Sequence, residues 1–274
     1  MKLLLIIVVA VALLFLLTFY LGQSKLIYFP RNYSANKPEL ERVTAHVYES
    51  GGYKQWVYLL KRDNDLPPDR IWWLFGGNGS TALGWVSLVA QVDPSINQAF
   101  VLFEYPGYGL NSGSPSPKSI FQSIDDSIGV VAGQLGLREP ELAKRSIGLG
   151  HSLGCAVALE SANRHGWSEV VAISPFTSMK AMARRQVGSV LAAFLRHHYD
   201  NEVALDELLV SNSNSRVTIF HGENDALIPI TMGQSLAERD ESGEKVVFIG
   251  VPRAGHNDII MHLEVELMAR FNQP

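Results

Sequence analysis

Cysteine is nearly missing from this chain. Its 274 residues hold one, Cys155, which excludes an intrachain disulfide and a thiolate-rich metal site built from one copy. The redox compartment is therefore not legible from cysteine usage. The setting, Leu153-Gly154-Cys155-Ala156-Val157-Ala158-Leu159, is that of a small buried hydrophobe in a helix. Charge is also sparse, at 18% of residues, with a formal net charge of −4. Lys and Arg nowhere cluster among aromatics, so nucleic acid is not an expected partner. No repeat or low-complexity tract occurs. The glycine-rich stretch Phe75-Gly76-Gly77-Asn78-Gly79-Ser80 lacks the lysine of a phosphate-binding loop. Nothing in the sequence calls for a cofactor or metal.

Apolar residues, by contrast, are plentiful. They make up 47% of the chain, and its length is enough for one large domain or two small ones with a substantial core. Part of this share is a run from Leu3 to Gly22 broken only by Thr18. About 20 uncharged residues suffice to span a bilayer as a helix. A cleaved signal peptide is the competing reading, but its apolar core is shorter, about 7–15 residues, and ends in an A-x-A-like site. The exit here, Phe19-Tyr20-Leu21-Gly22-Gln23-Ser24-Lys25, contains no such site, and no lipobox cysteine follows. The expected organisation is a single-pass anchor over residues 1–24 and a folded domain over 25–274, placed on the exported, extracytoplasmic side. Lys2 stands on one flank, and Lys25, Arg31 and Lys37 on the other, so charge alone decides the orientation weakly. Tyr28-Phe29-Pro30 suits an interfacial aromatic stretch or packing onto the domain.

Beyond residue 40, short β-rich runs alternate with longer amphipathic ones. Strands are expected at Val43–Tyr48, Gln55–Lys61, Ile71–Phe75, Ala99–Tyr105, Ser146–Gly150, Val170–Ile173, Val217–His221 and Val246–Gly250, with a loop at Asp63-Asn64-Asp65-Leu66-Pro67-Pro68. Most show no polar alternation, as when both sheet faces are covered. Helices are expected at Ala82–Val92, Ser119–Leu135, Ser152–His165, Met232–Arg239 and Asp258–Phe271. This order implies an α/β fold, a mostly parallel eight-stranded sheet with helices on both faces. Its sites form at the carboxyl ends of strands. Residues 178–213 break the rhythm with helical stretches at Ala181–Tyr199 and Glu202–Leu209, placed to form a short cap or a packed connection.

Gly150-His151-Ser152-Leu153-Gly154 fits G-x-S-x-G between a strand and a helix, the context of a nucleophilic serine on a strained turn. Serine needs a base. Of eight histidines, His256 follows the last expected strand on a loop. His197 and His198 lie in the helical insertion, His165 and His262 in helices, and His221 ahead of the expected acid. Asp225, after the strand Val217–Phe220, is the expected acid, with Glu223 as near rival. Asp258 suits a helix cap better. The oxyanion needs backbone N–H donors: Leu153, following the nucleophile, and Asn78 in the glycine-rich loop. Gly77, His151 and Tyr108 are expected to border the substrate.

These residues resemble a known family, the Bem46-like α/β hydrolases, related to the α/β hydrolase domain-containing proteins 12, 13 and 17. Phe75-Gly76-Gly77-Asn78-Gly79 is similar to F-H-G-N-A. Glu104-Tyr105-Pro106-Gly107-Tyr108-Gly109 with Ser112-Gly113-Ser114-Pro115-Ser116 resembles D-Y-R-G-Y-G-x-S-x-G-x-P-S. Gly150–Gly154 matches the G-H-S-L/M-G elbow, and Pro175-Phe176-Thr177-Ser178 matches P-F-T-S. His221-Gly222-Glu223-Asn224-Asp225 through Ile228-Pro229 resembles H-G-x-x-D-x-x-V/I-P, and Gly255-His256-Asn257-Asp258 matches G-H-N-D. The resemblance implies the α/β-hydrolase fold, a Ser152–His256–Asp225 triad, and an ester or thioester substrate, with a lipid or acyl group favoured. Gly76 in place of His and Pro106 in place of Arg are departures that leave these three residues intact. A peptidase or amidase on the same residues, and a membrane-tethered binding protein on an inactive hydrolase fold, are the alternatives.

Overall fold

The structure, a computed structural model, describes residues 1–33, 43–61 and 66–273. Lys37, and Asp63, Asn64 and Asp65 of the expected loop, lie outside them. The apolar amino-terminal stretch is helix α1 (Lys2–Ile27). It meets the length and hydropathy of a membrane span and continues past residue 24.

Eight strands follow among the described residues: β1 (Thr44–Ser50), β2 (Tyr53–Lys61), β3 (Arg70–Phe75), β4 (Gln98–Phe103), β5 (Ser146–His151), β6 (Glu169–Ile173), β7 (Arg216–Gly222) and β8 (Val246–Val251). They form one sheet in the order β1-β2-β4-β3-β5-β6-β7-β8. β1, β2 and β4 pair antiparallel, and every other neighbour pair is parallel. Helices cover both faces. In chain order they are α2 (Val86–Val89), α3 (Pro117–Gln134), α4 (Glu139–Arg145), α5 (Leu153–His165), α6 (Met179–Ala192), α7 (Asn201–Ser211), α8 (Ile230–Ala237), α9 (Ile259–His262) and α10 (Glu264–Phe271). This is the expected α/β-hydrolase fold.

Alternation along the pleat divides the apolar residues between two cores. Trp73, Phe75, Val101 and Leu159 belong to one, and Trp72, Leu74, Phe100 and Phe271 to the other. Both tryptophans are fully buried, and each indole N–H finds a partner: Trp72 donates to Gln98 Oε1 at 3.1 Å and Trp73 to Ser146 Oγ at 3.0 Å. Such pairing removes the penalty of burying an unsatisfied donor.

The helices differ from expectation where local geometry intervenes. The run at 82–92 divides into a 3₁₀ turn (Ala82–Trp85) and the single turn of α2. The carboxy-terminal run divides at Leu263, whose φ of −94° and ψ of 0° leave the helical region. Gly188, at φ 81° and ψ 166°, kinks α6. α4 was not expected, because seven residues give too short a periodic signal. Asp258 stands at the start of α9 without capping it; its carboxylate accepts the Gly255 N–H at 2.7 Å instead.

Candidate active site

Ser152 sits between β5 and α5 at φ 54° and ψ −115°, a backbone conformation that costs an L-residue of order 1–3 kcal/mol. Its N–H donates to the Ile173 carbonyl at 2.9 Å, and its carbonyl accepts the Cys155 N–H at 3.0 Å. The flanking glycines are steric necessities. A Cβ on Gly150 would run into the Gly154 backbone, and a Cβ on Gly154 into the Phe75 carbonyl. Behind the turn, Cys155 Sγ faces the Gly150 and Ile173 carbonyls at 3.2 and 3.1 Å. Burial raises its thiol pKa well above the ordinary 9.0.

His256 and Asp225 converge on this serine from the loops after β8 and β7. Asn224 N–H donates to the Ala254 carbonyl at 2.9 Å and ties the two loops together. His256 Nε2 lies 3.0 Å from Ser152 Oγ, and His256 Nδ1 lies 2.7 Å from Asp225 Oδ2. All three residues are about 8% exposed, so little water competes for these bonds. Asp225 Oδ1 accepts the Leu227 and Ile228 N–H groups at 2.9 and 2.8 Å. Burial raises the Asp225 pKa, but the His256 and Ile228 hydrogen bonds and the two neighbouring imidazoles outweigh it, and the net direction is downward. An ionised Asp225 accepts from His256 Nδ1–H, which leaves Nε2 free to accept from the serine hydroxyl.

The rivals stand elsewhere. Glu223 is exposed and reaches toward Gly250. His221 Nε2–H donates to the Ile228 carbonyl at 2.9 Å. His197 Nδ1 meets Tyr28 Oη at 3.2 Å, His198 is exposed, and His262 lies beside Asp258.

The Leu153 and Asn78 N–H groups make no hydrogen bond among the described residues. The Asn78 side chain is engaged at both ends of its amide: Oδ1 accepts the Phe29 N–H at 2.8 Å and Tyr108 Oη–H at 2.9 Å, and Nδ2 donates to the Ile27 carbonyl. Gly77, His151 and Tyr108 do not line the cavity that reaches Ser152. Tyr108 is buried and steadies Asn78. His151 Nε2–H donates to the His256 carbonyl at 3.0 Å. Burial, then the His256 charge, pushes its pKa down to about 4, so it is a neutral buttress. A Cβ on Gly77 would stand 2.9 Å from His151 Nδ1. Beneath this loop, Tyr105 Oη–H donates to the Gly76 carbonyl at 2.8 Å. Glu104 accepts Tyr33 Oη–H and the Ala82 N–H.

The cavity at Ser152 measures about 470 Å³ and is predominantly apolar, a size usual for small-molecule sites. Its walls include Met179 and Met182 of α6, Phe176, and Phe19, Leu26 and Ile27 of α1. The α1 residues were not expected here, because their partners lie some 50 to 170 positions along the chain and nothing local announces them.

Among known proteins, an α/β hydrolase of Acanthamoeba polyphaga mimivirus is 25% identical over 245 residues, 87% of this chain and 86% of the viral protein. Human alpha/beta hydrolase domain-containing protein 17C is 26% identical over 212 residues, 74% of this chain. The chain spans 60% of that relative's length. In three dimensions, a Pyrococcus furiosus esterase aligns with a TM-score of 0.67 at 14% identity, covering 90% of this chain and 96% of the esterase. A Vibrio vulnificus α/β hydrolase aligns at 0.63 and 16% identity, covering 83% and 81% of the two chains. Both likenesses concern the fold. The model of the alpha/beta hydrolase family matches residues 74–211, a stretch that carries Asn78 and Ser152 and ends before Asp225 and His256. The chain belongs to the alpha/beta hydrolase family.

Proposed function

We propose that this protein is a membrane-anchored serine hydrolase that cleaves carboxylic esters or thioesters, with lipid or acyl substrates favoured. The observation that carries this reading is the relay from Ser152 Oγ through His256 to Asp225, at 3.0 and 2.7 Å. Ser152 attacks the substrate carbonyl as His256 Nε2 takes the hydroxyl proton. Asp225 holds His256 in the required tautomer and stabilises its cation. The Leu153 and Asn78 N–H groups receive the oxyanion. His256 then protonates the leaving alkoxide or thiolate, an acyl group remains on Ser152, and water activated by the same imidazole releases it. Such arrays reappear on unrelated substrates, so the fold alone leaves the substrate open.

The apolar cavity supports an acyl group on Ser152. The quoted motifs support placement in the Bem46-like group. Residues 1–24 act as the anchor, 25–274 as the hydrolase domain, and 178–213 as a cap over the site. The domain faces the exported side.

Labelling with a fluorophosphonate probe tests the reading. Wild type is expected to label at Ser152, Ser152→Ala to lose the label, and His256→Ala to label far more slowly. Unchanged ester turnover in Ser152→Ala would sink it.

A further inference from the structure

The end of α1 is bolted to the domain rather than loosely joined to it. Gln23, 2% exposed, uses both ends of its amide. Nε2–H donates to the Phe194 carbonyl at 2.7 Å, and Oε1 accepts the Arg196 N–H at 2.7 Å. Arg196 also donates from its guanidinium to the Tyr20 carbonyl at 3.3 Å and stacks over the Tyr20 ring at 4.7 Å. One turn on, Tyr28 is buried, with its hydroxyl 2.9 Å from Tyr199 Oη. The Ile27 carbonyl and Phe29 N–H hold the Asn78 side chain. The same helix end therefore touches the segment after α6 and the loop that carries the expected oxyanion donor.

Between these attachments lies the cavity. Phe19, Gln23, Leu26 and Ile27 form one wall, Met179 and Met182 of α6 stand among the other lining residues, and Ser152 is reached from within. Phe19 also belongs to the uncharged run that ends at Gly22. The surface suited to lipid and the wall of the cavity are thus parts of one continuous helix.

We propose that residues 19–27 of α1 are the fixed wall of an acyl pocket and set the enzyme's preference for long fatty acyl chains, which pass along this helix from the bilayer to Ser152. The inference rests on the serine-hydrolase reading. An acyl chain suits the site because most of the lining consists of aliphatic, aromatic and methionine side chains, with Gln23, Asn78 and Gln186 as polar exceptions beside Ser152 itself, and burial of methylene groups against such walls is favourable and non-directional. Attachment by a two-sided amide fixes the wall against the segment that follows α6. A free tether would leave one side of the chain in water.

The test uses the full-length protein in nanodiscs and p-nitrophenyl esters of four to sixteen carbons. Wild type is expected to prefer the long chains. In Gln23→Ala the ratio of kcat/KM for the sixteen-carbon over the four-carbon ester is expected to fall about tenfold, the worth of about two buried methylene groups. Arg196→Met, outside the cavity wall, should shift the ratio the same way by a smaller factor. Thermal unfolding identifies any variant that has lost the fold. A folded Gln23→Ala and Arg196→Met that both keep the wild-type ratio overturn the inference, as does wild-type turnover confined to short esters, while Ser152 labelling in those cases leaves the hydrolase reading standing. Absence of both labelling and turnover in wild type removes that reading and the pocket with it. Cleavage of a vesicle-borne monoacylglycerol but not of an S-palmitoylated peptide would assign the chain to a lipid, and the reverse to a protein; either result supports the pocket.

Discussion

Two carboxylates lie buried at the carboxyl ends of strands, Asp225 after β7 and Glu104 directly after β4, at 8% and 1% exposure. Burial raises the pKa of both, yet the outcomes differ in sign. At Asp225, hydrogen bonds from His256 and Ile228 and two neighbouring imidazoles prevail, and its pKa falls below the ordinary 3.8. At Glu104, the Tyr33 hydroxyl and Ala82 N–H pull the same way, but burial prevails and the pKa is pushed up to about 7. A phenol and one amide do not replace a partner that can itself become a cation. One loop holds a carboxylate charge beside an imidazole, and the other holds an acid as an internal brace.

Removing each charge without changing shape sharpens the contrast. Asp225→Asn is expected to lower kcat/KM about ten-thousand-fold, because the amide supports the wrong imidazole tautomer. Ester hydrolysis at constant pH measures it, and a loss below tenfold would make Asp225 a bystander. Glu104→Gln should act on stability instead. Folded Glu104 keeps its proton up to about pH 7, while the unfolded chain releases it near 4.5. Folding therefore takes up a proton in that window, and stability declines as pH rises through it, by on the order of 3 kcal/mol in all. The variant should flatten this slope, read as Tm between pH 4.5 and 8; a slope equal to that of wild type contradicts the assignment. Asp225 has the opposite linkage, and its contribution is lost only as pH falls below 3.8. The smallest effect belongs to Tyr33→Phe. Losing the hydroxyl bonded to Glu104 should cost about 1 kcal/mol and move the Glu104 midpoint higher, seen as a shift of the same Tm profile.

The sheet was legible because β3 to β8 are nearly unbroken apolar runs, and a strand such as Trp72-Trp73 that serves two cores permits no polar alternation. Ser152, Asp225 and His256 could be singled out because chain order and strand ends restrict where such groups converge. What was not legible depends on distant partners. Tyr108 has the position of a substrate contact in the motif, yet it packs inward onto Asn78. Gln23 reads as the polar close of an apolar run, and its role appears only once Phe194 and Arg196 are beside it. The division of the last helix at Leu263 leaves no mark in a pattern that stays periodic on both sides.

The seclusion of Cys155 has a practical side. It is the sole sulfhydryl in the sequence, fully enclosed and held well away from its thiolate form, so a maleimide finds no ready target on the native exterior. A cysteine introduced at an outward-facing position becomes the single attachment point for a spin label or fluorophore. In the unaltered chain, slow uptake of the reagent becomes a clock for how often the junction of α5 with the sheet opens.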